Sequence, residues 1–385
     1  MVRLFDPLTL RGVTLPHRIA IAPMCTYHAG PDGRASDWHF VHYGRFALGG
    51  AAMVMTESVV VSPEGRGCDA NLGLWDDAQV APLRRIADFL KAQGSVSAIQ
   101  LHHAGRKADS GRPYLGSTPG ETTRCQPPAS ALAPSALPYT SGASVPRAMT
   151  ATDIRDTIEA WVAAAKRAVA AGFDVLEIHA AHGYLINQFL SPIANHRRDG
   201  YGGARAARMR FALELVEAVR AAWPATQPLF VRLSAVDAAE GGWVLDDTVA
   251  LARELKARGV DAIDCSSGGI GGPVVQTAVP RVPGFQVPFA ERVRREADIP
   301  TIAVGLITQA EHAAEIIEQG QADIVMIGRE ALIDPNWPSA ARTQLQPEAG
   351  YAHWTEPLGW WLDRRVQSIA ARGAPSSASA SKESA

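Results

Sequence analysis

Gly172-Phe173-Asp174-Val175-Leu176-Glu177-Ile178-His179 is the stretch on which the fold turns: a glycine closing a helix-period segment, an aspartate, then an apolar run that stops at a histidine. The joint returns as Gly259-Val260-Asp261 and as Gly320-Gln321-Ala322-Asp323, each again leading into an apolar run. Glycine ends helices because it enters the left-handed region without a Cβ penalty. Runs that are apolar almost throughout, not alternating, predict strands of a parallel sheet covered on both faces.

Outward from these joints the same theme fills the chain. Candidate strands are Ile19–Met24, Ala51–Ser58, Val96–Leu101, Asp174–His179, Leu229–Ser234, Ala262–Ser267, Thr301–Gly305 and Ile324–Gly328. Between them lie helix signals. Thr152 is the expected N-cap ahead of Ile154, Ile158, Trp161, Val162, Ala165 and Val169, and Thr308 with Glu311 reads as a capping box. Eight βα units without a break in composition predict one α/β domain, a single (β/α)8 TIM barrel over residues 1–365, in preference to two doubly wound domains. Leu4–Leu15, with a turn at Arg11-Gly12, is expected to form an N-terminal hairpin plugging the barrel floor. Arg106–Met149, rich in Pro, Ser, Thr and Gly, reads as a capping excursion or lid after the third strand, and 374–385 as a disordered tail.

Composition narrows the function classes. The chain has 385 residues, 47% hydrophobic, with a formal charge of −2, which supplies no field for nucleic acid. No apolar stretch approaches the ~20 residues of a membrane helix. Met1–Pro7 lacks a charged segment followed by an apolar one, so a soluble, cytoplasmic protein is expected. Cysteines 25, 68, 125 and 265 show no clustered spacing, which argues against a zinc site, an iron–sulfur cluster or a disulfide framework.

Barrel chemistry sits at the carboxyl ends of the strands. Those ends read Pro23-Met24-Cys25-Thr26-Tyr27, Glu57-Ser58, Gln100-Leu-His102-His103-Ala-Gly-Arg106, His179-Ala-Ala-His182-Gly-Tyr184, Arg232, Ser266-Ser267-Gly268-Gly269, Gly305 and Gly328-Arg329. Gly305 and Gly328 are either plain turn residues or, paired with the fixed cation of Arg329, a phosphate clamp after strands 7 and 8; the pairing favours the clamp. The Gly268–Gly272 run lacks the setting of a dinucleotide fingerprint and reads as a tight loop against a flat ligand. His179 and His182 have three readings: metal ligands, a structural pair, or donors to an anionic ligand oxygen. Glu177 shares the strand face of His179 while His182 follows in the loop, so no metal is expected and the donor reading is preferred.

On these residues the chain resembles the old yellow enzyme family of FMN-dependent ene-reductases. The resemblance is carried by Ala22-Pro-Met-Cys25, Gln100-Leu-His-His-Ala-Gly-Arg106, the block from Glu177 to Pro192, Tyr201-Gly-Gly203, Val231-Arg-Leu-Ser234 and Ile327-Gly-Arg329, and it runs from about Leu4 to Trp361. Cys25 and the strand ends around it are most similar to the thermophilic-like and xenobiotic reductase subgroup.

The resemblance implies that FMN lies across the barrel mouth. Its phosphate would rest on Gly305, Gly328 and Arg329, its pyrimidine edge on Gln100, and its N1/O2 edge near Arg232, with Pro23, Met24, Cys25 and Ser58 along the ring. NADPH or NADH would deliver hydride to the flavin, and an activated alkene, an enone or nitro compound, would follow. His179 and His182 would hold its oxygen, Tyr184 would give the proton, and Tyr27 would assist. The expected enzyme is an NAD(P)H-dependent flavin oxidoreductase working as a homo-oligomer, dimer or tetramer.

One departure stands out. Where related enzymes carry an arginine that enters a neighbouring site, this chain reads Pro357-Leu-Gly-Trp-Trp361, and Trp360 or Trp361 would reach over or simply pack. Alternative readings are a flavin- or phosphate-binding barrel without turnover, and a dienoyl-CoA-reductase-like barrel, whose iron–sulfur cysteines and extra nucleotide domain this sequence lacks. No motif decides NADPH against NADH; Arg281 is one of several arginines suited to a 2′-phosphate.

Overall fold

Gly172, Gly259 and Gly320 hold φ of +80°, +83° and +71°, each just beyond a helix, the region a side chain enters at a cost. The aspartate that follows has a task the sequence did not announce. Asp174 accepts from the backbone N–H of Ser97 at 3.0 Å, Asp261 from Leu229 at 2.8 Å and Asp323 from Thr301 at 3.0 Å. Each aspartate's own N–H returns to the carbonyl of the same partner. Every joint therefore staples the start of one strand to the start of its neighbour, satisfying a donor that burial would otherwise orphan.

The computed structural model of the chain describes residues 3–108, 111–112, 114, 131–271 and 279–373. An antiparallel hairpin of β1 (Leu8–Leu10) and β2 (Val13–Leu15) precedes the first barrel strands, β3 (Ile19–Ile21), β4 (Met53–Val60) and β5 (Val96–His102). A short pair, β6 (Leu132–Ala133) and β7 (Arg147–Ala148), closes the excursion. Then come β8 (Val175–Ala180), β9 (Leu229–Ser234), β10 (Ala262–Ser266), β11 (Thr301–Val304) and β12 (Ile324–Ile327). The eight strands β3, β4, β5, β8, β9, β10, β11 and β12 pair in parallel, and β12 returns to β3 to close the barrel.

The helices are α1 (Asp37–Leu48), α2 (Val80–Ala92), α3 (Ala151–Ala170), α4 (Leu185–Leu190), α5 (Arg205–Ala222), α6 (Leu245–Ala257), α7 (Val287–Ala297), α8 (Ala310–Glu318), α9 (Arg329–Ile333), α10 (Trp337–Leu345) and α11 (Glu356–Gly373). Two apolar cores result. One lies between barrel and helices around Trp161, Phe173, Phe211 and Leu215; the other fills the lower barrel, where Leu10 and Leu15 meet Met53, Phe230, Ile302 and Met326. The hairpin is thus the floor plug its apolar residues predict. Arg11 fixes it from outside, bonding Asp261 and the carbonyls of Ala225 and Gly259.

Several local expectations need correction. The N-cap of α3 is Thr150, not Thr152: its hydroxyl accepts from Asp153 N–H while Asp153 reaches back to Thr150 N–H, a reciprocal pair that Thr152 has no acidic partner to make. Thr308 and Glu311 form no capping box, because α8 begins at Ala310 with Gln309 at its cap. Glu57 and Ser58 lie inside β4 and not beyond it, where the pairing register shifts between Met55 and Ser58. The predicted tail at 374–385, and 115–130 within the predicted lid, lie outside the described residues. No helix among those described is long and apolar enough to cross a membrane.

Candidate active site

Tyr184 is the N-cap residue of α4, and that helix is held by polar side chains beneath it. Asn187 accepts from Gly183 N–H at 2.7 Å, and Gln188 donates to the carbonyls of Gly183 and Ala104. These contacts bring the loop after β8 under the loop after β5. Tyr184 then faces a cavity of about 240 Å³ lined among others by Cys25, Tyr27, Ser58, Asn71, His102, Lys107 and Tyr139. Burial raises the Tyr184 and Tyr27 phenols above their ordinary value, so both keep their protons at neutral pH.

His179 and His182 lie behind that phenol, with the His179 ring 5.1 Å from it. Their tautomers follow from the bonds. Ala181 N–H donates to His179 Nδ1 at 3.2 Å, which leaves the proton on Nε2, 3.3 Å from His182 Nδ1. His182 Nε2 in turn meets Ser266 Oγ at 2.6 Å, and the Ser266 hydroxyl leads to Gln286 Oε1. Loss of hydration holds both imidazoles well below their usual value, so they are neutral donors and not cations. The backbone at the site is strained in places, with φ of +56° at Tyr27 and +58° at His182.

In the glycine run after β10, Gly268 has nothing within 4 Å of an added Cβ, while its neighbours pack against other loops. A Cβ on Gly269 would meet the His182 backbone at 2.7 Å, and one on Gly271 would meet the Tyr139 ring at 2.0 Å. Lys107 clamps the two loops, donating to the carbonyls of His182 and Gly269, both at 2.6 Å. Burial, reinforced by Arg106, lowers its ammonium to about 7. His102, Ser266 and Gln286 also belong to this assembly, and only position after a strand hinted at the first two. Asn71 and Tyr139, from loops, carry no periodic signal at all.

On the far side, Cys25 Sγ stands 3.2 Å from Ser58 Oγ. Cys25 is exposed at the cavity; loss of hydration by its sulfur, together with the charge of Glu57, pushes the thiol up to about 11, so it keeps its proton at neutral pH. Glu57 is wholly buried and accepts from Thr26 and Tyr43. Toward the axis lie Gln100 and Arg232, and Arg232 Nε, 3.2 Å from Asp264 Oδ2, makes no hydrogen bond among the described residues.

These features fit a flavin mononucleotide. The Arg232 guanidinium, turned at Nε toward Asp264 and making no hydrogen bond among the described residues, is a fixed cation suited to an electron-rich ring edge. Gly328, where an added Cβ would meet nothing nearer than 3.9 Å, leaves backbone open at the end of β12, while Gly305, with φ of +125°, ends β11 where a Cβ would stand 2.9 Å from the Phe285 ring. Arg329 is exposed beside them and makes no ion pair among the described residues. Pro23 and Met24 continue β3 toward the same opening. No group of three or more His, Cys, Asp or Glu among the described residues is placed to hold a metal ion.

Comparison with known proteins points to the same cofactor. Residues 3–348 match the NADH:flavin oxidoreductase / NADH oxidase family. The chain is 44% identical to NADPH dehydrogenase of Geobacillus thermodenitrificans over 89% of its own length and 94% of that protein's. Among solved structures it is similar to morphinone reductase in complex with tetrahydroNAD, with a TM-score of 0.72, 30% identity, and 89% and 91% of the two chains covered. The old yellow enzyme homologue from Zymomonas mobilis has a TM-score of 0.72 and 26% identity, with 90% of this chain and 93% of that one covered. The chain therefore belongs to this family, the old yellow enzymes, and is an NAD(P)H-dependent oxidoreductase with FMN as its cofactor.

Proposed function

We propose that the chain reduces the activated C=C bond of α,β-unsaturated carbonyl or nitro compounds at the cavity in front of Tyr184. The reading rests above all on one juxtaposition: a half-buried, protonated phenol beside two neutral imidazoles, over the place where the barrel fits a flavin. FMN, when bound, stores a hydride taken from NAD(P)H and releases it to the substrate. Everything else is work for side chains. Gln100 and Arg232 would hold its pyrimidine edge, Gly305, Gly328 and Arg329 its phosphate, and Pro23, Met24, Cys25 and Ser58 the flank of its ring.

His179 Nε2–H and His182 turn from each other and from Ser266 to donate to the substrate's carbonyl or nitro oxygen, withdrawing charge from the double bond. Tyr184 O–H then protonates the α-carbon, and Tyr27 adds a donor at the cavity rim. NADPH is the preferred donor on the strength of the relatives named for it. Residues 1–365 act as one FMN-binding barrel, with 106–149 shaping the pocket, in a cytoplasmic enzyme.

Tyr184→Phe separates the two halves of the cycle. Bleaching of the flavin by NADPH is expected to stay near the native rate, while alkene reduction slows by a factor on the order of 10²–10⁴. Equal loss in both half-reactions would remove Tyr184 as the acid. Assembly has its own test. Leu358, Trp361, Val366 and Ile369, at helical spacing, leave α11 with an exposed apolar face, which we assign to a second copy in a dimer or tetramer. Light scattering at micromolar concentration is expected to give at least a dimer, and Trp361→Asp to weaken it; monomer alone in the native protein would refute the assignment.

A further inference from the structure

Beneath the mouth of the barrel, three charged side chains from adjacent strands share a volume closed to water. Glu177 of β8 and Asp264 of β10 are wholly buried, and Arg232 of β9 stands between their strands. Arg232 Nε is 3.2 Å from Asp264 Oδ2, and the amide of Gln100, from β5, donates to Glu177 Oε1 at 2.7 Å. Beyond these contacts Glu177 Oε2 and both Asp264 oxygens accept no hydrogen bond among the described residues.

Two carboxyls against one guanidinium leave a full negative charge if all are ionised. So few donors cannot compensate that charge in a dry interior, so the pair keeps a proton. The other groups facing it do not alter the balance. His179, in register with Arg232 on the neighbouring strand, is neutral, as are His182 and His102 beyond it. Lys107 lies on the outer side of that histidine layer and acts on the histidines.

The next step rests on the FMN reading, which puts Arg232 at the flavin edge where reduction deposits charge. We propose that Glu177 and Asp264 form a redox-linked proton store that holds one proton while the flavin is oxidised and takes up a second when it is reduced. Two electrons and one proton make the cofactor one unit more negative. The second proton comes from solvent and forms an O–H bond on a carboxylate oxygen of the pair, so the added charge is balanced inside the barrel. Reoxidation by the alkene reverses the step and returns that proton. Both acids are positioning residues acting through Arg232. Burial raises both carboxyls, mutual repulsion adding at Glu177 and Arg232 opposing, which puts their titration within reach of neutral pH.

The experiment is the pH dependence of the flavin midpoint potential in the holoenzyme, measured by spectroelectrochemistry. For a two-electron couple a tenfold change in equilibrium constant is about 30 mV, so one proton per reduction gives a slope of about 30 mV per pH unit and two protons about 60 mV. The native enzyme is expected to approach the steeper slope around neutral pH while its reduced spectrum remains that of the anionic flavin. Glu177→Gln, which keeps a partner for Gln100, and Asp264→Asn are each expected to return the slope to the shallower value. A shallow native slope, a steep slope with a spectrum showing protonation of the flavin itself, or a steep slope surviving in both variants would each overturn the proposal. The native measurement decides even where a variant does not fold. Protein that takes up no FMN fails the underlying reading instead, visible as missing flavin absorbance before any potential is measured.

Discussion

Gly183 shows how closely the site is fitted at the scale of one residue. Its φ is +71°, and an added Cβ would stand 2.0 Å from the Gly269 carbonyl oxygen, an atom already bonded to Lys107. Gly203 has nearly the same backbone, φ +78°, with nothing within 4 Å of its missing Cβ. The pair separates strain from collision. Gly203→Ala is expected to cost about 1–2 kcal/mol, the ordinary penalty of a left-handed alanine. Gly183→Ala adds displacement of the loop that carries His182 and Tyr184, and is expected to cost more than about 3 kcal/mol and to weaken FMN retention. Thermal unfolding of both variants with their flavin content measures it; equal losses would mean that the interlocked loops yield freely. The glycine run at 268–272 was visible in the sequence, but its partner was not. Periodicity reports which face of an element is apolar, and it carries no information on which loop backbone another loop touches.

At the scale of elements, the aspartate joints tie three pairs of neighbouring strands together at the barrel's amino-terminal rim. Asp323 accepts from Thr301 N–H and also meets Arg294, a pair exposed enough on the arginine side to contribute little. Asp323→Ala is therefore expected to cost about 1–3 kcal/mol, almost all from leaving the Thr301 N–H unsatisfied. Thr150→Ala should cost about 1 kcal/mol through loss of the α3 cap, whereas Thr152→Ala should be nearly silent. Denaturant melts of the three variants provide the check, and a Thr152 variant as damaged as the Thr150 one would contradict the observed cap. Element identity was legible here because the barrel strands are apolar over most of their length and three of them follow a glycine that ends a helix. Boundaries were less so: Thr150 and Thr152 are equally good cap residues alone, and only Asp153, at capping-box spacing from Thr150, decides between them. Gln100, Arg232 and Tyr184 could be placed in advance because strand ends define them. Lys107, Gln286 and Tyr139 could not, since each reaches the site from a segment without regular structure or from the edge of a helix.

Across the whole molecule, the balance of buried titratable groups sets how the fold responds to acid. His17, His39, His42 and His103 are pushed down to about 4 and His102 to about 3, all chiefly by burial, and His179 and His182 are also held well below their usual value. Such a histidine is neutral in the folded chain yet binds a proton once unfolded, so between its folded value and the ordinary ~6.5 the unfolded state holds more protons and stability falls as pH falls. Glu57, raised to about 7 by burial, acts in the opposite sense, as do Glu177, Asp264 and Asp237, because these carboxyls keep protons in the folded state that they lose on unfolding. The seven histidines outnumber the four acids in the window below their ordinary value. The melting temperature of the holoenzyme is therefore expected to be lower at pH 5 than at pH 7, by on the order of 5 °C. His17→Gln tests one contribution away from the active site: its ring donates to Gly50 at the barrel floor, and a neutral amide there should make the melting temperature less dependent on pH. A melting temperature that is flat or rises toward pH 5 in the native protein would show that the buried acids, not the histidines, govern the response.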